Sequence, residues 1–265
     1  MKIELKNISF GYNATETVLD NISFTVNPSS CTSIVGSSGS GKSTILRLIN
    51  GMLQETNIDF LKGEIKINDS DIIKEKIKWK NKRSKGELGY MFQNSNLLPH
   101  LSVEKNIKLP LKILGKKTEE NEIVSDYLKI TGLINHKNKL PKELSGGMKT
   151  RAALARTFIT NPKLLLLDEP FSSLDIVWKS ELYEEVKRLK NLNNTTVILV
   201  THDIFEAVYF SNNIVILGDN HKIIKSINIP NWSDELSYND VVLKYNKEFV
   251  EIKKCIEENR GQINL

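Results

Sequence analysis

Residues 34–44, IVGSSGSGKST, decide how the rest of the chain is read. Gly36, four intervening residues, then Gly41, Lys42 and Ser43 fit the phosphate-binding pattern G-x-x-x-x-G-K-[ST] without a mismatch. A loop that wraps a phosphate has to visit positive φ and bring its N–H groups close to oxygen, and a Cβ obstructs both. Gly36, Gly39 and Gly41 provide that freedom, with Ser37, Ser38 and Ser40 between them. A helix expected from about Lys42 aims its dipole and its unpaired N–H groups at the same anion. The pattern assigns Lys42 to the β- and γ-phosphates and the Ser43 hydroxyl to magnesium, with Thr44 closing the run. The competing reading is a flexible Gly/Ser linker. Against it, residues 31–35 read as a short buried strand and residues 45–49 continue at helical spacing.

At 265 residues the chain has room for one large α/β domain or two small ones. Its apolar fraction of 40% and charged fraction of 26% are those of an ordinary globular protein. No apolar run approaches the length of a membrane span, and the opening MKIELK alternates like a strand, without a signal-peptide core. Cys31 and Cys255 match no metal or redox spacing and read as two reduced thiols. The net charge of +5 is spread through Lys-rich segments such as 74–85, which read as solvated surface rather than a nucleic-acid face.

Residues 2–10 and 18–26 alternate as two strands, and Tyr12 lies in their connection. An aromatic there is compatible with stacking on a base and equally with a place in the core or on the surface. A further strand is expected from Gly63, and 69–86 reads as charged and irregular. Residues 88–93 read as a strand ending in Gln93. From Asn94 to about Leu144 strand-like runs give way to amphipathic helices at 103–114 and 119–131, a helical insertion within the α/β domain. After 144–148, LSGGM, another helix is expected over 149–160, then one over 176–192. Single strands are expected at 196–201, 214–218 and 222–227, and one last amphipathic helix over about 237–259, with Val242, Tyr245, Phe249, Ile252 and Ile256 on its apolar face.

The second half of the chain carries the acids. Leu164 to Leu167 form an apolar run that ends in Asp168 and Glu169, as a strand buried on both faces looks when it delivers carboxylates at its carboxyl end. Asp168 is placed to hold magnesium and Glu169 to polarise an attacking water. His202 ends the next apolar strand and reads as a γ-phosphate contact. The competing readings are a solvated loop for the acid pair and a structural role for the histidine.

With these motifs in this order, the chain resembles the ATP-binding cassette (ABC) ATPases that power transporters. The likeness covers residues 1 to about 220. It rests on 36–44, on Gln93 after a strand, on LSGGM at 144–148, on the run 164–169, on Ser173-Leu174-Asp175 and on His202. The resemblance implies an α/β fold: a P-loop NTPase core with a mostly parallel central sheet, an N-terminal antiparallel β subdomain and an inserted α-helical subdomain. It places the ATPase domain over 1–230, with a RecA-like core and the helical subdomain at about 94–160, and a C-terminal helical extension over 231–265. It implies ATP and Mg2+ as cofactors. Tyr12 then stacks on adenine, Gln93 ligates magnesium and water, Glu169 is the catalytic base and His202 the switch histidine. Asp175 is implied as a further nucleotide-binding residue, and Ser145, Gly146 and Gly147 form a second anion site that closes over ATP held by a partner subunit, so that two copies sandwich two nucleotides head to tail. Two departures are visible: Met148 where the family most often has Gln, and an insertion at 55–62.

The segment 94–103 resembles the surface of importer ATPases that receives a coupling helix from the membrane subunits. The whole is similar to the nitrate, sulfonate and taurine importer group. The implied partners are a second ATPase copy (homodimer, or heterodimer with another ABC ATPase), permease subunits docking near Gln93–Val103, and indirectly a solute-binding protein, with no nucleic acid. The implied place is cytoplasmic, peripheral on the cytoplasmic face of the cell (inner) membrane. An exporter or lipid-handling subunit and a soluble cassette protein are the alternatives. A GTPase is disfavoured, because Asn138-Lys139-Leu140-Pro141 fails the guanine-reading Asn-Lys-x-Asp pattern at its last position.

Overall fold

The computed structural model describes residues 1–13, 16–53, 60–116, 120–174, 176–230, 232–233, 236 and 238–259. These divide into two units, 1–80 with 196–265, and 81–195.

The first unit opens with β1 (Ile3–Gly11), β2 (Leu19–Val26), β3 (Cys31–Gly36), α1 (Lys42–Asn50), β4 (Phe60–Ile67) and β5 (Ser70–Asp71). Strands β1, β2, β4 and β5 form an antiparallel sheet in the order β2-β1-β4-β5. Its alternation is that of a sheet with one buried face: Leu19, Ile22, Phe24 and Val26 point inward along β2. β3 behaves differently. All six of its residues are buried, because it is a central parallel strand covered on both faces.

Helix α2 (Lys76–Ser84) corrects the expectation of an irregular stretch over 69–86. Ile72 and Trp79 are almost wholly buried and anchor this segment. Its charge density had hidden those two apolar contacts.

The second unit carries β6 (Leu88–Met91), α3 (Val103–Ile113), α4 (Glu120–Ile130), α5 (Gly146–Phe158), β7 (Leu164–Asp168) and α6 (Ile176–Leu192). β6 runs parallel to β7, with Leu88 opposite Leu164 and Met91 opposite Leu167. Leu164, Leu165, Leu166 and Leu167 are buried, each contributing about 1.5–3 kcal/mol of transfer free energy. Helices α3, α4 and α5 pack on one another. The fully buried Asn106 spends its amide on the preceding loop: it donates to the carbonyls of Leu98, Leu101 and Ser102 and accepts from the Leu98 N–H. A polar side chain survives in that core because each of its groups is satisfied.

The chain then returns to the first unit with β8 (Thr196–Val200), α7 (Ile204–Phe210), β9 (Asn213–Leu217), β10 (Ile223–Asn228), α8 (Tyr238–Lys244) and α9 (Asn246–Asn259). β3 pairs in parallel with β8 and β9, and β10 pairs antiparallel with β9, giving the order β10-β9-β3-β8 in this unit. The single C-terminal helix expected from the spacing is two helices meeting at Tyr245. The buried face is Val241, Tyr245 and Ile252, while Val242, expected inward, is 45% exposed. Among the described residues no helix is long and apolar enough to cross a membrane. Neither Cys31 nor Cys255 is joined in a disulfide.

Candidate nucleotide-binding site

The phosphate loop lies between β3 and α1 in the first unit. Gly41 is the N-cap of α1 with φ 104°, a left-handed conformation, and a Cβ there would come within 2.7 Å of the Val18 carbonyl oxygen. A Cβ on Gly36 would meet the Leu217 carbonyl oxygen at 2.3 Å. No side chain caps the start of α1 and its first turn holds no acid, the character of a helix start suited to an anion. Lys42, 6% exposed, folds back onto the loop and donates from Nζ to the carbonyls of Gly36 at 3.0 Å and Ser37 at 2.5 Å. The Ser40 hydroxyl donates to the same Ser37 carbonyl at 3.0 Å, and the Ser37 hydroxyl donates to Asp219. Gly39 curls at φ 84°, Ser38 is exposed and Ser43 is half-buried.

Tyr12 is 45% exposed, held edge-on to Phe10 with centroids 5.0 Å apart, and its hydroxyl lies 3.3 Å from the Thr44 hydroxyl. The tyrosine is thus tied to the first turn of α1 with its ring partly open to solvent. His202, exposed, follows β8. Its neighbours are pinned: the Thr201 hydroxyl donates to Glu206 at 2.6 Å, and the Asp203 carboxylate caps α7 by accepting from Phe205 N. The backbone is fixed there while the imidazole faces outward.

In the second unit, β7 delivers the acids. Asp168 is 3% exposed, with the Tyr90 hydroxyl at 3.5 Å from its carboxylate. Glu169 has φ 49°, a left-handed conformation that costs a non-glycine residue about 1–3 kcal/mol and clusters at functional sites. This turn breaks the strand's alternation and frees Glu169 from pointing opposite to Asp168. The Gln93 amide donates to the Glu169 carboxylate at 3.3 Å, so two residues far apart in sequence are brought together.

Ser145 is the N-cap of α5, its hydroxyl accepting from Met148 N at 3.3 Å. The helix begins at Gly146, not at 149 as expected, so both glycines lie in its first turn. A Cβ on Gly146 would meet nothing within 4 Å, and one on Gly147 would have only ordinary contacts, the nearest at 3.5 Å. Among the described residues nothing around Gly146 calls for glycine. Asp175 lies outside the described residues, as does most of the insertion expected at 55–62.

The sequence profile of the ABC transporter family matches residues 19–172, more than half of the chain. The chain belongs to that family. Its ATPase character is that of the family, and curated relatives are import subunits. The aliphatic sulfonates import ATP-binding protein SsuB of Bacillus anthracis is 36% identical over 251 residues, covering 93% of this chain and 94% of that protein. The nitrate import ATP-binding protein NrtD of Synechocystis is 32% identical over 250 residues, covering 93% and 89%. Among solved structures, the dimeric post-hydrolysis state of the ATP-binding cassette MJ0796, bound to ADP and Pi, superposes with a TM-score of 0.77 at 28% identity, covering 87% of this chain and all of that one. The fold expected from the resemblance, an α/β ABC ATPase with an antiparallel sheet, parallel strands and several helices, is the one observed.

Within this ABC ATPase, sequence reasoning passed over Asp219, Tyr90 and Asn106. Asp219 sits in a polar hairpin turn like any other, and nothing local marks it as a phosphate-loop contact. Tyr90 was visible only as a strand aromatic. Asn106 was one polar residue on an otherwise amphipathic helix, and its role shows only once the loop it holds is in place.

Proposed function

We propose that this ABC ATPase binds ATP at Gly36–Thr44, pairs head to tail with a second copy or a second ABC ATPase, and drives solute import of the sulfonate, nitrate or taurine type. The observation that carries this reading is the contrast between an uncapped, lysine-bearing phosphate cradle and a glycine turn at Gly146 open to its surroundings. ATP enters the cradle, and Lys42 Nζ exchanges its two carbonyls for phosphate oxygens. Tyr12 lies under the base, and the Ser145 and Gly146 turn of a partner closes over the γ-phosphate. Glu169 takes a proton from the attacking water, Gln93 orients that water through the pair it makes with Glu169, and His202 contacts the γ-phosphate. The hydroxyl of Ser43, the carboxylate of Asp168 and the amide oxygen of Gln93 are the hard oxygen donors magnesium takes. When bound, Mg2+ supplies charge neutralisation at the phosphates. Asp175 is assigned to the same interface.

Residues 1–230 are read as the ATPase domain, with 94–160 as its helical subdomain and 231–265 as a C-terminal helical extension. The permease is read as docking near Gln93–Val103. In support, Arg156 donates to the carbonyls of Asn96 and Ser95, at 2.8 and 2.7 Å, and fixes that segment. Arg156 also lines a groove of about 270 Å3 with Leu88, Leu109, Leu114 and Ile113. Ile113 is 75% exposed at its edge, and burial lowers the Arg156 guanidinium from its ordinary value. On this reading the subunit sits on the cytoplasmic face of the cell membrane, with a solute-binding protein as an indirect partner and no nucleic acid.

Capture of the tagged chain from detergent-solubilised membranes tests the reading. Permease subunits are expected to co-purify and to be lost with Ile113→Glu. Ribosomes or nucleic acid in their place would overturn it.

A further inference from the structure

We propose that Asp219 is a positioning residue for the phosphate loop: by accepting the Ser37 hydroxyl it holds the Ser37 carbonyl where Lys42 rests, and so sets how readily the loop receives ATP. This rests on the reading of Lys42 as a phosphate ligand.

A carboxylate beside a phosphate cradle carries the wrong sign for the ligand, since like charges in a partly buried setting repel. Its geometry gives it another role. The Ser37 side chain donates to Asp219, while the carbonyl of the same residue accepts from Lys42 Nζ at 2.5 Å and from the Ser40 hydroxyl at 3.0 Å. Ser37 is therefore a two-sided clasp, tied on one side to the β9–β10 turn and on the other to the lysine.

The turn that carries Asp219 is itself rigid. Gly218 N donates to the Lys222 carbonyl at 2.9 Å and His221 N to the Gly218 carbonyl at 3.0 Å. Asp20 N donates to the His221 carbonyl at 2.9 Å, and the Lys222 ammonium lies 3.1 Å from the Asp20 carboxylate, which ties the turn to β2. Behind the clasp, Gly36, Ser37, Asp219, Ile224, Ile256 and Asn259 line a narrow cleft of about 10 Å3, room for no more than about one water. The last turn of α9 thus backs the Asp219 turn.

Steady-state ATP hydrolysis by the full chain tests the assignment with D219A, D219N, S37A and the D219A/S37A double variant. D219A and S37A are each expected to raise KM for ATP by about three- to tenfold, the equivalent of one lost hydrogen bond, while kcat stays within about twofold. D219N keeps an oxygen that can accept from Ser37, so its KM is expected to stay near that of the parent. The double variant is expected to match either single one, because both remove the same bond. Additive effects, an unchanged KM in D219A, or tighter ATP binding by both Asp219 variants would overturn the proposal. Thermal melting of each variant separates a folding defect from a loop effect, with S37A as the milder lesion. Lys42→Ala distinguishes the two readings: if it leaves ATP affinity intact, the assignment of Lys42 fails whatever Asp219 does.

Discussion

Two glycine turns, one in the phosphate loop and one at the start of α5, differ in whether the chain itself requires the glycine. At the phosphate loop the chain itself does. A Cβ on Gly36 would strike the Leu217 carbonyl oxygen and one on Gly41 the Val18 carbonyl oxygen, and Gly41 already sits at φ 104°. At the start of α5 the described residues make no such demand, for a Cβ on Gly146 would meet none of them within 4 Å. The first turn is an organ finished within one copy, with its lysine parked on its own carbonyls. On the proposed reading the second turn is completed by a partner copy.

The contrast can be broken at several points. The largest effect is expected from Glu169→Gln, which keeps the shape and the contact to Gln93 but removes the base: ATP binding persists and turnover falls about 10²- to 10⁴-fold in a phosphate-release assay. Near-normal turnover would show that Glu169 is not the base. Gly41→Ala forces a side chain into the left-handed region against the Val18 carbonyl, so the unfolding free energy should drop by about 1–3 kcal/mol and ATP binding with it. A variant with parental melting and affinity would mean that the loop is not internally determined. Gly146→Asp sharpens the comparison through opposite signs. An acid in the first helical turn should leave the isolated chain as stable or about 0.3–1 kcal/mol more so. The same charge facing a partner's phosphates should cut hydrolysis at least about tenfold, since like charges across an interface cost several kcal/mol. If hydrolysis is spared, the turn has no anion opposite it. The smallest effect belongs to Ser145→Ala, which removes the cap received by Met148 N and should cost about 1 kcal/mol of stability in a denaturant titration.

How much of this was legible in the sequence depended on whether the signal was local. The phosphate loop, the apolar strand ending in Asp168 and the switch from alternating to helical spacing after Gln93 are short-range patterns, and β3, α1, β7 and α3 fall where those patterns put them. Helix α2 was hidden because Lys76, Lys78, Lys80, Lys82 and Arg83 swamp its periodicity, and the buried Trp79 betrays it only once a core exists to receive it. The C-terminal helices were misread in their inward face. Val241 and Val242 are equivalent on paper, and tertiary packing chose the first. The start of α5 at Gly146 was displaced because two consecutive glycines argue against a helix by propensity, while the Ser145 cap argues for one. The pairs Gln93 with Glu169 and Ser37 with Asp219 join residues distant in the chain, and single-sequence reading has no access to such pairs.

The central claim is that ATP is shared between the internally built loop of one copy and the open glycine turn of another. Light scattering on the Glu169→Gln chain, with and without saturating ATP and magnesium, tests it most directly. The account predicts monomer without nucleotide and dimer with it, the dimer dispersing when Gly146→Asp is added. A mass that stays monomeric at saturating ATP would contradict it.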